Sequence, residues 1–152
     1  MSAEIATNRK ALHDYHIERR IEAGIELRGT EVKSIRAGHV NLRGAYARIE
    51  GGEAILYDVD IQPYERASHE QHEPKRKRRL LLHRREIDQL FGDSNVSGRT
   101  LIPLRLYWKQ GRVKVELGVG KGRHAADKRS DLRKKEAVRE AARAAAGFNR
   151  RR

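Results

Sequence analysis

Cysteine is absent from the sequence, which excludes a disulfide framework and a thiolate metal site and fits a reducing compartment. Apolar runs are short. None approaches the roughly 18 residues of a membrane span, and the first residues lack the apolar core of a signal peptide. A soluble cytoplasmic protein with no membrane partner is therefore expected. Acidic residues are scarce too, 21 Asp and Glu against 34 Lys and Arg. The resulting formal charge of +13 points to a polyanionic partner, because such an excess otherwise costs self-repulsion. None of the six serines lies in a nucleophile-elbow sequence. Large apolar residues become sparse after Val119, with Leu132 and Phe148 the bulkiest that follow, so the chain can pack one small core.

What the sequence does contain is strand-like alternation. Ile102, Leu104, Leu106 and Trp108 alternate with Arg105, Tyr107 and Lys109, and after a turn at Gln110 and Gly111 the pattern resumes with Val113, Val115, Leu117 and Val119. This predicts a hairpin with one core face and one wet, mostly cationic face, on which Arg105, Tyr107, Lys109 and Lys114 suit backbone contact and base stacking. Gly118, Gly120 and Gly122 are expected to end its second strand.

Upstream, residues 1–7 read as frayed, and Tyr15, Ile17, Ile21, Ala23, Ile25 and Leu27 mark a strand with a bend at Gly24. A short helix follows, capped by Thr30, favoured by Glu31 at its N-terminal end and stopped by Gly38. Ala45, Ala47 and Ile49, a Gly51-Gly52 turn, then Ile55, Tyr57, Val59 and Ile61 predict a second hairpin. Beyond a polar loop and the basic run 75–79, Ile87, Leu90 and Phe91 mark an amphipathic helix ending at Gly92. The pattern is mainly β: several short antiparallel strands with two or three short flanking helices, an α+β or barrel arrangement rather than a parallel βαβ one. The domain division expected is 1–122 as the folded part and 123–152 as a basic tail.

Residues 121–152 hold 12 Lys and Arg against 4 Asp and Glu. Ser130 or Asp131 can cap an alanine-rich helix over 132–146, but Lys135, Arg139 and Arg143 form a like-charged row that resists it in free solution. The tail is therefore expected to be disordered alone and helical once phosphates neutralise that row.

Catalytic and metal motifs are weak. Gly118-Val119-Gly120-Lys121-Gly122 lacks the spacing, the Ser or Thr and the helix of a phosphate loop. His69 and His72 are two imidazoles without a third ligand. Asp58 and Asp60 share a strand face and leave a metal-dependent ribonuclease as an alternative. A basic ribosomal or ribosome-assembly protein is another. The reading the composition favours is a non-enzymatic RNA-binding protein with no cofactor and no metal.

Several blocks carry a family likeness: Asn8-Arg9-Lys10-Ala11, His13-Asp14-Tyr15, Glu22-Ala23-Gly24-Ile25, the run from Gly29 to Gly38, Leu80-Leu81-Leu82 and Asp127-Lys128-Arg129. Together they resemble the bacterial SsrA-binding protein family, small protein B. The resemblance implies an oligonucleotide-binding-like barrel that binds the tRNA-like domain of transfer-messenger RNA and delivers it to stalled ribosomes, where the tail enters the empty mRNA channel as a helix near the decoding centre. Such a protein takes part in trans-translation, and a monomer is expected.

Carried over by position, Asn8, Glu22 and Leu81 match residues the family uses on RNA, with Arg9, Lys10, Lys33, Arg36, Arg76 and Arg78 as further contacts. Lys121, Arg123, His124, Asp127, Lys128, Arg129, Arg133 and Lys134 would face the small-subunit RNA of the ribosome. The chain departs from the family at Ala126, where many members have a His or Tyr able to stack on a base, and offers His124 two residues earlier.

Overall fold

Alternating apolar residues make most of the chain extended, and a computed structural model describes residues 2–63 and 72–122. In chain order these form β1 (Ser2–Thr7), α1 (Arg9–Asp14), β2 (Tyr15–Ile25), α2 (Gly29–Arg36), β3 (Val40–Asn41) and β4 (Tyr46–Glu50). Then come β5 (Glu53–Tyr57), β6 (Asp60–Ile61), β7 (Arg78–Leu81), α3 (Arg84–Ser94), β8 (Arg99–Lys109) and β9 (Arg112–Gly122). The main sheet runs β1-β8-β4-β5-β7-β2-β9, and a further pairing of β8 with β9 closes it into a ring of strands. β3 and β6 make a separate two-stranded pair. The antiparallel pairing is what the alternation predicts, and a closed ring is what the family resemblance implies. Closure leaves the ring without an open edge, apart from β1, which adds to β8 over Arg105 to Lys109.

β1 corrects the expectation of a frayed start: residues 2–7 pair with β8, and Ile5 and Ala6 pack against the core. Both predicted hairpins form. Their turns need left-handed backbone, supplied by Gly51 and Gly52 (φ +56° and +77°) and by Gln110 and Gly111 (φ +53° and +74°). The return strand of the first hairpin differs in its facing. Ala54 and Leu56 point into the core, not Ile55 and Tyr57, and inward facing passes to Val59 and Ile61 only after Asp58, whose φ is +63°. A left-handed residue there shifts the parity, which a strict period of two could not foresee.

β8 changes faces as well. Leu101 packs in the main core, whereas Ile102 and Leu104 join a second cluster with Ala11, Tyr15 and Ile17; past an irregularity between Pro103 and Arg105, Leu106 returns to the main core. A bulge advances the register by one residue and so exchanges the faces. The sequence suggested one core face, and the structure has two.

The second cluster also explains the glycines of β9, which do not end the strand. A Cβ on Gly118 would lie 2.7 Å from Leu104 Cδ1, and one on Gly120 would lie 3.0 Å from Ile102 Cδ1 and 3.1 Å from Tyr15 Cβ. These glycines let Ile102, Leu104 and Tyr15 pack onto β9.

The helices pack against the strands: α1 on β2 and β8, α2 beside β6, and α3 on β4 and β8. α2 is capped through Glu31, which accepts from the Arg28 backbone N–H at 2.8 Å, and Thr30 instead meets a ring nitrogen of His72. Gly38 (φ +80°) does close α2, donating to Ile35 O at 3.0 Å. α3 buries Ile87 and Leu90 but runs past Gly92 to Ser94, and Phe91 is exposed. Among the described residues no helix is long and apolar enough to cross a membrane.

Candidate nucleic-acid interface

The candidate residues divide between the surface and the interior. Asn8 is 4% exposed. Its Oδ1 caps α1 by accepting from Ala11 N–H at 3.1 Å, and its Nδ2 donates to Leu42 O at 3.2 Å and Pro103 O at 3.0 Å. Both amide donors are used inside the fold, which makes Asn8 a support for the RNA-facing residues rather than the exposed base reader expected. It holds α1 against β8 and thereby sets where Arg9 and Lys10, both exposed, project.

The basic run 75–79 is likewise split. Arg78 is 1% exposed and spends its guanidinium on Glu31, Val59 O, Arg76 O and Pro74 O. This corrects its assignment as a phosphate contact: strand alternation turns Arg78 inward, where five fixed donors satisfy a carboxylate and three carbonyls. Arg76 is partly buried and donates to Glu31 Oε1 at 2.6 Å. Lys75, Lys77 and Arg79 remain outside. Lys77 lies 5.8 Å from the centroid of Tyr57, which stacks on Tyr46 at 5.2 Å.

His72 is buried rather than ligating. Nε2 lies 2.7 Å from Ile61 O, to which it donates, and Nδ1 lies 2.9 Å from Thr30 Oγ1. Residues 64–71, with His69, lie outside the described residues. Among those described, no group of three or more His, Cys, Asp or Glu gathers as metal ligands.

Glu22 and Leu81 come together. Leu81, 48% exposed, pairs in register with Gly24, two residues beyond Glu22 on β2, and a Cβ on Gly24 would lie only 3.1 Å from Leu81 Cβ. The bend expected at Gly24 is therefore a seat for Leu81 on the face that Glu22 shares. α1 joins β2 at its opposite end, roughly 30 Å away along the strand. On α2, Lys33 and Arg36 are exposed, and the Arg36 guanidinium lies over Trp108 at 5.6 Å.

Around Glu22 the outer face of β2, β8 and β9 forms a cavity of about 410 Å³, lined by Arg20, Ile21, Glu22, Arg105, Tyr107, Lys109 and Glu116. Tyr107 Oη donates to Glu22 Oε2 at 2.6 Å, and Lys109 Nζ reaches Oε2 at 3.1 Å and Oε1 at 3.3 Å. The Tyr107 hydrogen bond, then that of Lys109, holds the Glu22 carboxyl below its usual range. Burial first, and Glu22 second, push the Tyr107 hydroxyl well above its usual value, so it stays protonated as a donor. Arg20 and Arg105 both bond Glu116, at 3.1 Å and 2.7 Å.

The alternation places Arg105 and Lys109 on the outer side of β8 as expected, but Tyr107, expected there as a wet stacking surface, is 6% exposed and leaves no free ring face for a base. Period two places Arg20 on the same face as Glu22, but its pairing with Glu116, 96 residues away, has no local signal in the sequence. Lys121 is exposed on β9, whereas Arg123, His124, Asp127, Lys128, Arg129, Arg133 and Lys134 lie outside the described residues.

The model of the SmpB protein family matches residues 5–147. An SsrA-binding protein of Carboxydothermus hydrogenoformans is 56% identical over 140 residues, covering 92% of this chain and 94% of the relative. One from Roseiflexus is 56% identical over 141 residues, covering 92% and 89%. A solved structure described as "tmRNA-SmpB: a journey to the center of the bacterial ribosome" contains a chain that superposes with a TM-score of 0.69 at 48% identity, covering 81% of this chain and 87% of that one.

Proposed function

The chain belongs to the SmpB family, and on that footing we propose that it binds the tRNA-like domain of transfer-messenger RNA (SsrA) and delivers it to stalled ribosomes for trans-translation. It acts as a non-enzymatic adaptor, without a cofactor, in the cytoplasm where ribosomes translate. The observation that carries this reading is the near full-length match to SsrA-binding proteins.

The residues divide the work by chemistry. Leu81 offers an exposed apolar surface to an unstacked base, and beside it Glu22 offers a carboxylate to base or sugar donors. Arg9 and Lys10 on α1, Lys33 and Arg36 on α2, and the outward members of the 75–79 run supply phosphate contacts, which position RNA without reading it. Asn8, Arg76 and Arg78 act from behind by fixing the elements that carry these groups. Lys121, Arg123 and the Asp127-Lys128-Arg129 segment, with His124, Arg133 and Lys134, meet the small-subunit RNA near the decoding region.

Titrating the full chain and a version ending at Gly122 against the tRNA-like domain and against an ordinary tRNA, across a salt series, tests this. Salt removes the part of affinity that comes from counterion release alone. A preference for the tRNA-like domain that survives salt and truncation, with tagging on stalled ribosomes lost in the truncation, is expected. A preference that vanishes with salt or with the tail would leave only a polycation, as a general ribosome-assembly protein would be.

A further inference from the structure

The cavity beside Glu22 is close to charge-balanced, with three cations against two carboxylates, unlike the strongly basic molecule around it. The Arg20, Arg105 and Lys109 cations that line it face the Glu22 and Glu116 carboxylates, and most of them already bond one another. A phosphate entering there would meet two carboxylates at close range. A neutral group with donors of its own would meet an ordered set of acceptors and donors. The volume of about 410 Å³ lies toward the small end of ligand cavities, which run from roughly 300 to 1,000 Å³.

Resting on the adaptor reading, we propose that this cavity takes a single unstacked guanine of the RNA, with Glu22 accepting from its Watson–Crick edge and Tyr107 acting as the positioning residue for that carboxylate. Guanine alone among the four bases presents two adjacent donors, N1–H and the N2 amine, to a carboxylate. Adenine and cytosine put a ring acceptor beside their amine, and uracil flanks its one N–H with carbonyls; each turns a lone pair toward the carboxylate.

The geometry suits this edge. Oε2 is fixed by the Tyr107 hydroxyl at 2.6 Å, whereas Oε1 receives only the 3.3 Å contact from Lys109. The N2 amine bonds Oε1 and N1–H bonds Oε2, displacing the Lys109 ammonium, whose flexible stem then reaches the flanking phosphate. Guanine O6 lies next to N1 and needs a donor. Arg20 uses one N–H on Glu116 and is 55% exposed, with further N–H groups to give. Tyr107 stays protonated near neutral pH, so the hydroxyl orients Glu22 throughout the working range.

The test replaces each unpaired guanosine of a tRNA-like-domain transcript, one at a time, by inosine, which lacks the N2 amine. Binding is measured with the full wild-type chain, Glu22→Gln and Tyr107→Phe. At one position inosine should weaken wild-type binding roughly tenfold, and the same exchange should matter less than about twofold to Glu22→Gln. Tyr107→Phe keeps the ring and the fold. It should shrink the guanosine-to-inosine ratio while leaving the salt slope, which counts phosphate contacts, unchanged. If no position shows the ratio, or if Glu22→Gln weakens every transcript equally, the carboxylate only holds Lys109 and the proposal falls. Preference of the wild-type chain for the unmodified domain over an ordinary tRNA is read in the same titrations. The adaptor reading therefore stands or falls separately.

Discussion

Arg78 donates through Nε to Glu31 Oε2 at 2.6 Å, with the side chains of both partners 0% exposed. The pair joins α2 to β7, and through the Arg78 contacts with Val59 O and Pro74 O it also ties down the chain on either side of residues 64–71. Arg76 adds a second guanidinium to the same carboxylate at 2.6 Å. A buried ion pair is seldom a net gain over apolar packing, because desolvation offsets the attraction, but removing one partner strands the other. Arg78→Met should therefore destabilise the protein by about 3–5 kcal/mol, read as a lower urea midpoint. Arg78→Lys should rescue little of that, since a compact ammonium cannot span one carboxylate and three carbonyls.

The same carboxylate sets the acid limb of stability. Burial pushes Glu31 up, but Arg76, the Arg28 backbone N–H and Arg78 together outweigh it and hold its carboxyl below the usual value. A group depressed in the folded state stabilises it fully above the ordinary carboxylate pKa, and that contribution is lost as pH falls through the folded value. Urea midpoints followed from neutral pH to roughly 3 should fall on the acid side. Glu31→Gln should start lower at neutral pH and show a shallower acid decline; an unchanged slope would show that Glu31 does not couple folding to protons.

How far the sequence discloses this protein follows from the reach of each signal. Local patterns are legible: both hairpin turns, the closing glycine of α2 and the apolar rows of β9 are written in neighbouring residues. Parity changes are not, because the switches at Asp58 and between Pro103 and Arg105 depend on how a strand meets its partner. The site divides in the same way. Leu81, Arg9 and Lys10 project outward, whereas Asn8 and Arg78 turn inward to partners that include, besides near neighbours, groups 34 to 95 and 19 to 47 residues away, beyond any local window.

Gly118 gives a direct check of the second cluster. Its place in β9 reads as a strand breaker, yet the position is filled by Leu104, whose Cδ1 would lie 2.7 Å from an added Cβ, with Ile17 Cγ2 at 3.3 Å. Gly118→Ala should destabilise by about 1–3 kcal/mol through overpacking. Combining it with Leu104→Val, which withdraws the colliding methyl, should cost less than the two changes summed. Simple additivity in chemical denaturation would mean that Leu104 does not press on β9.

Asn8 and its neighbours should separate folding from RNA binding. Asn8→Ala removes the cap of α1 and two donors to buried carbonyls, and should cost about 2–3 kcal/mol in stability. Arg9→Ala with Lys10→Ala alters only exposed groups on the same helix. It should leave stability within about 0.5 kcal/mol while weakening RNA binding and lowering the salt slope by about two. Leu81→Ala, also exposed, should weaken the tRNA-like domain without changing that slope, since it removes an apolar contact and no charge. Thermal unfolding and salt-dependent titrations on the three variants read all of these effects. The decisive comparison is at a low temperature, where Asn8→Ala is still folded: normal RNA binding there makes Asn8 a support for α1, and a defect larger than that of the Arg9 and Lys10 pair would put its amide on the RNA after all.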